Sequence, residues 1–530
     1  MEVSDRSSNR LFLRLFAMLA VFALATGNTL SATWYVASNG LDTNAGTSNA
    51  PFATIMRAQS AATAGDTVYL RGGTYYLTTT NISATNQPWK VVNDINKSGV
   101  SYIAYPGELP VFDFSAVSPD PPTNRVTAFQ VSASGCVFKG FDVVGVPIVI
   151  TNAGTQSECF RVNGGSMNRF EQLRMHDGHG IGFYLTDGAS NLVLNCDAFN
   201  NWGINANSAG NIDGFGFHSG HMTSVSNVIR GCRAWFNSDD GYDLINNDAA
   251  VLIDHCWAFY NGYSNYTFTP TGGNANGFKS GGYGVSGGSY PKPVPRNTVQ
   301  FCLSVRNGGI GIYANHHPDG LNFIGNTAYT NHNTDYNMVC NTNNVSSTND
   351  CPGFNHYMRN NLGFRGNKAE VTNLDMGRSD VAFNFFSLSV TVSSNDFMSL
   401  DESLLTLPRA TDGSLPYIGF AQLVSTSDLV DAGTNVGFAY AGAAPDLGAF
   451  EYGSTVPTLA MSRAGTNVVF TGGTGPAGGT DYLIATTNLS LPTPQWPRLA
   501  TNKFDLTGSC AITNGISPGE PQRFFRISLP

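Results

Sequence analysis

The chain has 530 residues, enough for several hundred residues of core and more than one domain. Its formal net charge is −9, only 12% of its residues are charged, and it holds 59 Gly and 25 Pro. The absence of a basic face argues against a nucleic-acid binder, and the composition favours short strands joined by turns over long solvated helices.

In chain order, Arg6, Arg10 and Arg14 lead into an apolar run from Leu15 to Ala25, followed by small residues. That layout reads as a signal peptide over 1–32, cut after Gly27 or Ala32, and the run is short for a bilayer span. The expectation is a secreted or extracytoplasmic monomer with no membrane span after cleavage. WYVASNG (34–40) reads as a first strand. FATIMRAQSAATAGD (52–66) has helical apolar spacing and is expected to cap the open end of a strand stack.

From the middle of the chain one pattern recurs: NLVLNCDAFNN (191–201), NVIRGCRAWFN (227–237), VLIDHCWAFYN (251–261), NTVQFCLSVRN (297–307) and GLNFIGNTAYTN (320–331). Each carries Cys or Asn at one position and a further Asn five residues on. RFEQLRMHDG fits with Leu173 in the Cys place. Cys232 to Cys256 is 24 residues, as is Cys302 to Asn326, and longer gaps imply loops inserted between coils. A period of this length with several short strands per turn is a parallel β-helix signature. Cys196, Cys232, Cys256, Cys302 and Asn326 are therefore expected to stack in one ladder, the Cys as packed thiols. The following Asn are expected at turns, in the left-handed conformation, hydrogen-bonded along the stack. Cys340 and Cys351 flank a polar loop and are candidates for a disulfide. DLGAFEYG (446–453) closes the pattern, a linker covers 453–458, and 459–530 reads as a small β-sandwich-like module.

Acidic residues are sparse, so clusters stand out. NIDGFG supplies Asp213; NSDDGYDL supplies Asp239, Asp240 and Asp243. Asp213 and Asp239 are 26 residues apart, close to one coil, so stacking brings them to one face. Four carboxylates at one place repel unless a cation neutralises them, and an oxygen-only set favours calcium. The plainer alternative is a group of turn Asp making local hydrogen bonds. Lys279, in NGFKSGG, is either an ordinary solvated Lys or a base whose pKa a neighbouring cation and burial would lower.

The succession NIDGFG, NSDDGYDL, NGFKSGG and GNTAYTN resembles polysaccharide lyase family nine, whose members include pectate lyases. The likeness covers roughly 33–452 and is strongest over 185–332. It implies an all-β, right-handed parallel β-helix lyase domain, with calcium held by Asp213, Asp239, Asp240 and Asp243. It implies Lys279 as the Brønsted base in β-elimination of an acidic, pectin-type polysaccharide, polygalacturonate or rhamnogalacturonan, leaving a 4,5-unsaturated end. Two other readings stand beside it. An inverting polygalacturonase would use Asp213 and the Asp239–Asp240 pair around a water, although the expected Gly-His-Gly occurs before the pair, at 178–180. A non-catalytic carbohydrate-binding or adhesion β-helix is the other. GYGVSG (282–287) matches a dinucleotide-binding pattern but precedes no helical pattern, and is set aside.

Overall fold

The computed structural model describes residues 31–528, apart from 87, 120–124, 149–155, 205, 265, 285–288, 343–346, 439, 454–457, 466, 474–479, 488–495, 506–508 and 516–522. The expected signal peptide and most of the expected linker lie outside the described residues. Among those described, no helix is long and apolar enough to cross a membrane.

Three long sheets, of 12, 10 and 11 strands, parallel but for the antiparallel edge strand Ala84–Asn86 of the third, wind around one core, and strand order within each follows the chain coil by coil. Strands are short, commonly three residues, because each coil turns sharply three times. The fold is the parallel β-helix expected from the repeat. Thr33–Val36 opens the first sheet, beside Thr67–Leu70. The helix Ile55–Ala61 caps the start of the stack, seven residues rather than the fifteen its apolar spacing suggested. Thr54 is its N-cap, the side chain accepting from Arg57 N–H at 3.1 Å. Its buried Ile55, Ala58 and Gln59 join the first coils. The Gln59 amide donates to the carbonyl of Asp94, so the cap closes backbone groups as well as apolar surface.

Cys196, Cys232, Cys256 and Cys302 are free, fully buried thiols in successive coils, and Leu173 holds the rung before them. The Cys196 N–H points at Cys232 Sγ (3.4 Å), that of Cys256 at Cys302 Sγ (3.4 Å), and that of Cys302 at Asn326 Oδ1 (3.0 Å). Five residues on, Asn201, Asn237, Asn261, Asn307 and Asn331 form a second buried ladder. Each amide donates to the next Oδ1 at 3.0–3.1 Å, and Asp335 accepts at its end (2.8 Å). One expectation shifts by a residue. The left-handed conformation belongs to the residue before each ladder Asn: Asn200, Phe236, Tyr260, Arg306 and Thr330. The side chain after the turn is thereby aimed inward, where its amide satisfies carbonyls of the preceding coil.

The coils end near Asp380–Val381. The chain then folds back irregularly over the outer face of the second sheet. Phe397, Leu405, Phe420, Leu423 and Leu447 pack there on Trp235, Trp257, Phe259 and Tyr329. DLGAFEYG thus closes no coil: Gly448 N–H donates to the Asn360 carbonyl and Ala449 N–H to Thr327 Oγ1, alongside coils already formed. From Thr458 two three-stranded antiparallel sheets share a small core of Phe470, Leu483 and Ile512. Cys340 and Cys351, the candidate disulfide pair, face each other on an antiparallel backbone pair, each N–H donating to the other's carbonyl at 2.9 Å, but both are free thiols.

Candidate active site

The third sheet sets the site. In four successive coils the chain enters it through Gly, then an inward apolar residue, then an outward one: Gly214-Phe215-Gly216, Gly241-Tyr242-Asp243, Gly277-Phe278-Lys279 and Gly311-Ile312-Tyr313. Phe215, Tyr242, Phe278 and Ile312 are stacked, fully buried register partners. Their successors, Gly216, Asp243, Lys279 and Tyr313, therefore form one outward ladder. Gly is required at the entry because a Cβ on Gly241 would lie 2.7 Å from the carbonyl oxygen of Gly277 in the next coil.

The residues before the first three entry glycines build a second ladder, Asp213, Asp240 and Asn276. Asp213 Oδ1 accepts the Asp240 N–H at 3.1 Å. Asp240 Oδ1 accepts both the N–H (2.7 Å) and the amide (2.8 Å) of Asn276. Asp239 Oδ1 accepts the Asn274 N–H at 2.6 Å, and Asp243 Oδ1 accepts the Ile245 N–H at 2.7 Å. The remaining oxygens converge. Lys279 Nζ lies 2.9 Å from Asp243 Oδ2 and 3.2 Å from Asp240 Oδ2. Asp213, Asp239 and Asp240 each offer a carboxylate oxygen within 4.8 Å of the others. All five expected site residues meet here, and all are buried.

Burial, then mutual repulsion, push Asp213 and Asp239 well above the usual carboxylate range; burial also raises Asp240. Burial acts on Asp243 in the same sense, but Lys279 and His218 outweigh it and hold Asp243 low. For Lys279 the expected lowering is reversed. Burial does press its pKa down, yet four carboxylates press it up harder, so without a cation the side chain is an ammonium. Four buried carboxylates brought together on adjacent coils, with one lysine to offset them and with burial and mutual repulsion pushing Asp213 and Asp239 upward, fit a hard divalent cation.

His218 was missed in the sequence. Its Nε2 lies 3.6 Å from Asp243 Oδ2, and its Nδ1 pairs with the Tyr184 hydroxyl at 3.2 Å. Its proximity to Asp213 in DGFGFHSG, in a chain with nine His, was the available signal. Asn276 was missed too, although NGFK repeats the frame of DGFG and DGYD.

The fold and the site together define a parallel β-helix protein with a buried cluster of four aspartates and one lysine at its third sheet. The chain belongs to the family described as Pel9A-like, right handed beta helix region, which matches residues 34–361. Pectate lyase L of Dickeya chrysanthemi is 34% identical over 439 residues, 81% of this chain and 92% of that protein. Among solved structures, a rhamnogalacturonan lyase is 40% identical with a TM-score of 0.71, covering 74% of this chain and 97% of that one. The pectate lyase Pel9A structure is 31% identical with a TM-score of 0.62, covering 80% and 98%.

Proposed function

We propose that the chain is a secreted lyase that cleaves an acidic, pectin-type polysaccharide by β-elimination, with Lys279 as base and Asp213, Asp239, Asp240 and Asp243 as calcium ligands. The observation that carries the reading is the placement of a single buried lysine in contact with two of four buried carboxylates on adjacent coils. Calcium bound there would draw electron density from the substrate carboxylate and so acidify the proton on C5. The four aspartates keep that charge beside the sugar, and the entry glycines hold them at fixed depth. With the carboxylates' charge taken up, Lys279 no longer has to serve as their counter-ion, and its neutral Nζ can accept the C5 proton. The C–H electron pair becomes the C4–C5 double bond, and the C4–O bond breaks with its pair on the departing oxygen. No water attacks, so no second carboxylate base is needed.

The hydrolytic alternative is disfavoured by spacing. Inverting pairs stand about 6.5–9.5 Å apart to admit a water, whereas the Asp213, Asp239 and Asp240 oxygens lie within 4.8 Å. The decisive assay follows ultraviolet absorbance of the unsaturated end on polygalacturonate and rhamnogalacturonan, with calcium and with chelator. Absorbance that rises only with calcium is the expected result; saturated reducing ends without absorbance would overturn the proposal.

A further inference from the structure

The ladder that presents Lys279 continues beyond it. Register partners along it run Tyr184, Gly216, Asp243, Lys279, Tyr313 and Asn337. Neighbouring strands lie about 4.8 Å apart, comparable to the advance of one sugar in an extended chain. A polymer lying along the ladder therefore meets roughly one rung per sugar. On the rungs flanking Asp243 and Lys279 there is no cation. The next one in register is Arg161, and it is engaged: Nη1 pairs with the fully buried Glu158 at 3.1 Å, and its guanidinium lies over the Trp89 ring at 4.3 Å.

The rung beside Lys279 is more than neutral. The Tyr313 hydroxyl is paired with His316 Nε2 at 2.9 Å, and His316 Nδ1 with Asp350 Oδ1 at 2.8 Å. Asn341 donates to that same Asp350 oxygen at 3.0 Å. The backbone holds this geometry at some strain, since Asn315 and His316 both sit at positive φ, 53° and 58°. Tyr313 and His316 are each half-buried, so part of the phenol reaches the surface while His316 holds its hydroxyl. A carboxylate at this rung would meet a phenol whose own partner, His316, is tied to Asp350, while the ladder's adjacent cation, Lys279, is already engaged by Asp240 and Asp243. A sugar hydroxyl would meet a fixed hydrogen-bonding group.

Resting on the lyase reading above, we propose that Tyr313, positioned by His316 and Asp350, forms the subsite next to the base and takes a neutral sugar there. The substrate is then a polymer in which the attacked uronate is followed by an uncharged residue, as in an alternating rhamnogalacturonan backbone, and not one with a carboxylate on every sugar. Tyr313 is a specificity residue; it takes no part in the proton abstraction by Lys279.

The test compares kcat/KM for release of unsaturated ends from an alternating rhamnogalacturonan and from polygalacturonate, using the full chain with calcium. The wild type should favour the alternating polymer. Tyr313→Phe should lower kcat/KM on that polymer about tenfold, the scale of one lost hydrogen bond, and by clearly less on polygalacturonate, so that the preference between the two narrows. Tyr313→Arg should move the preference toward polygalacturonate. Thermal melting of each variant separates loss of fold from loss of discrimination, and the wild-type ratio needs no variant at all. Faster cleavage of polygalacturonate by the wild type, or equal loss on both polymers in Tyr313→Phe, overturns the subsite while leaving the lyase reading intact. No unsaturated product from either polymer overturns both.

Discussion

Replacing Lys279 by Ala does two separable things. It removes the proposed proton acceptor, and it removes the side-chain cation that touches both Asp240 and Asp243, leaving Asp243 with His218 at 3.6 Å. Each contact, at about 3 Å and an effective dielectric of about 20, is worth about 5 kcal/mol gross. Desolvation offsets much of that, and removing one partner of a buried ion pair costs about 3–5 kcal/mol net. Part of the loss is recovered because carboxyls already pushed upward can take another proton, so about 3 kcal/mol is expected in chelator at neutral pH. Calcium would replace the missing charge, so the variant should regain most of its stability when the ion is added. It should be stabilised by calcium more than the wild type is. Its turnover should nevertheless stay about 10²- to 10⁴-fold down, the usual cost of losing a general base. Thermal unfolding in chelator and in calcium, alongside the ultraviolet assay, reads both effects. Equal melting shifts in the two proteins, or turnover near the wild-type rate, would refute the reasoning.

Asp240→Asn keeps the shape but removes a carboxylate from the centre of the cluster, and calorimetry should show calcium affinity reduced more than about tenfold, at the low end of what losing a charge-assisted contact costs. Burial raises Asp335, at the end of the asparagine ladder, to about 7. A carboxyl whose folded pKa is raised contributes stability fully below its unfolded value near 4 and loses it as pH climbs through about 7, a change of up to about 4 kcal/mol. The urea midpoint should therefore fall from pH 5 to pH 9 by more in the wild type than in Asp335→Asn, in which the other raised carboxyls, Asp213, Asp239 and Glu451, still titrate; the variant starts lower because Asp335 Oδ2 accepts the Phe364 N–H. Asn261→Ala strips acceptors from the Asn237 amide and donors from the Ala234 carbonyl and Asn307, all buried. Denaturant unfolding should show a loss of about 2–4 kcal/mol.

Much of the stack was legible because each coil must repeat its inward side chains. Leu173, the four Cys and Asn326 occupy one line in the sequence and one line in space. The acidic cluster was legible for the same reason, as 26 residues is close to one coil. What escaped is what periodicity does not encode. The protonation of Lys279 depends on how many carboxylates surround it in depth, which the spacing left open. His218, His316 and Asp350 lie outside the repeat frame, and Asp350 reaches His316 from 34 residues away. The fold-back over the second sheet was misread because its apolar residues, such as Phe397 and Phe420, follow no coil period and are placed only by the surface they cover.

The cysteine ladder steps by 36, 24 and 46 residues, yet each step is a single rung. Vertical position along the stack is thus independent of how much chain is spent between rungs. Excursions between Asn261 and Asn274, or between Ser280 and Asn297, can lengthen, shorten or be exchanged while Asp243, Lys279 and Tyr313 return to the same heights. Variation of that kind alters the walls beside the ladder without re-aiming the groups on it. A lineage built this way can sample new glycan shapes by loop replacement alone, and a designer can graft excursions from one such protein to another using the rungs as fixed splice points.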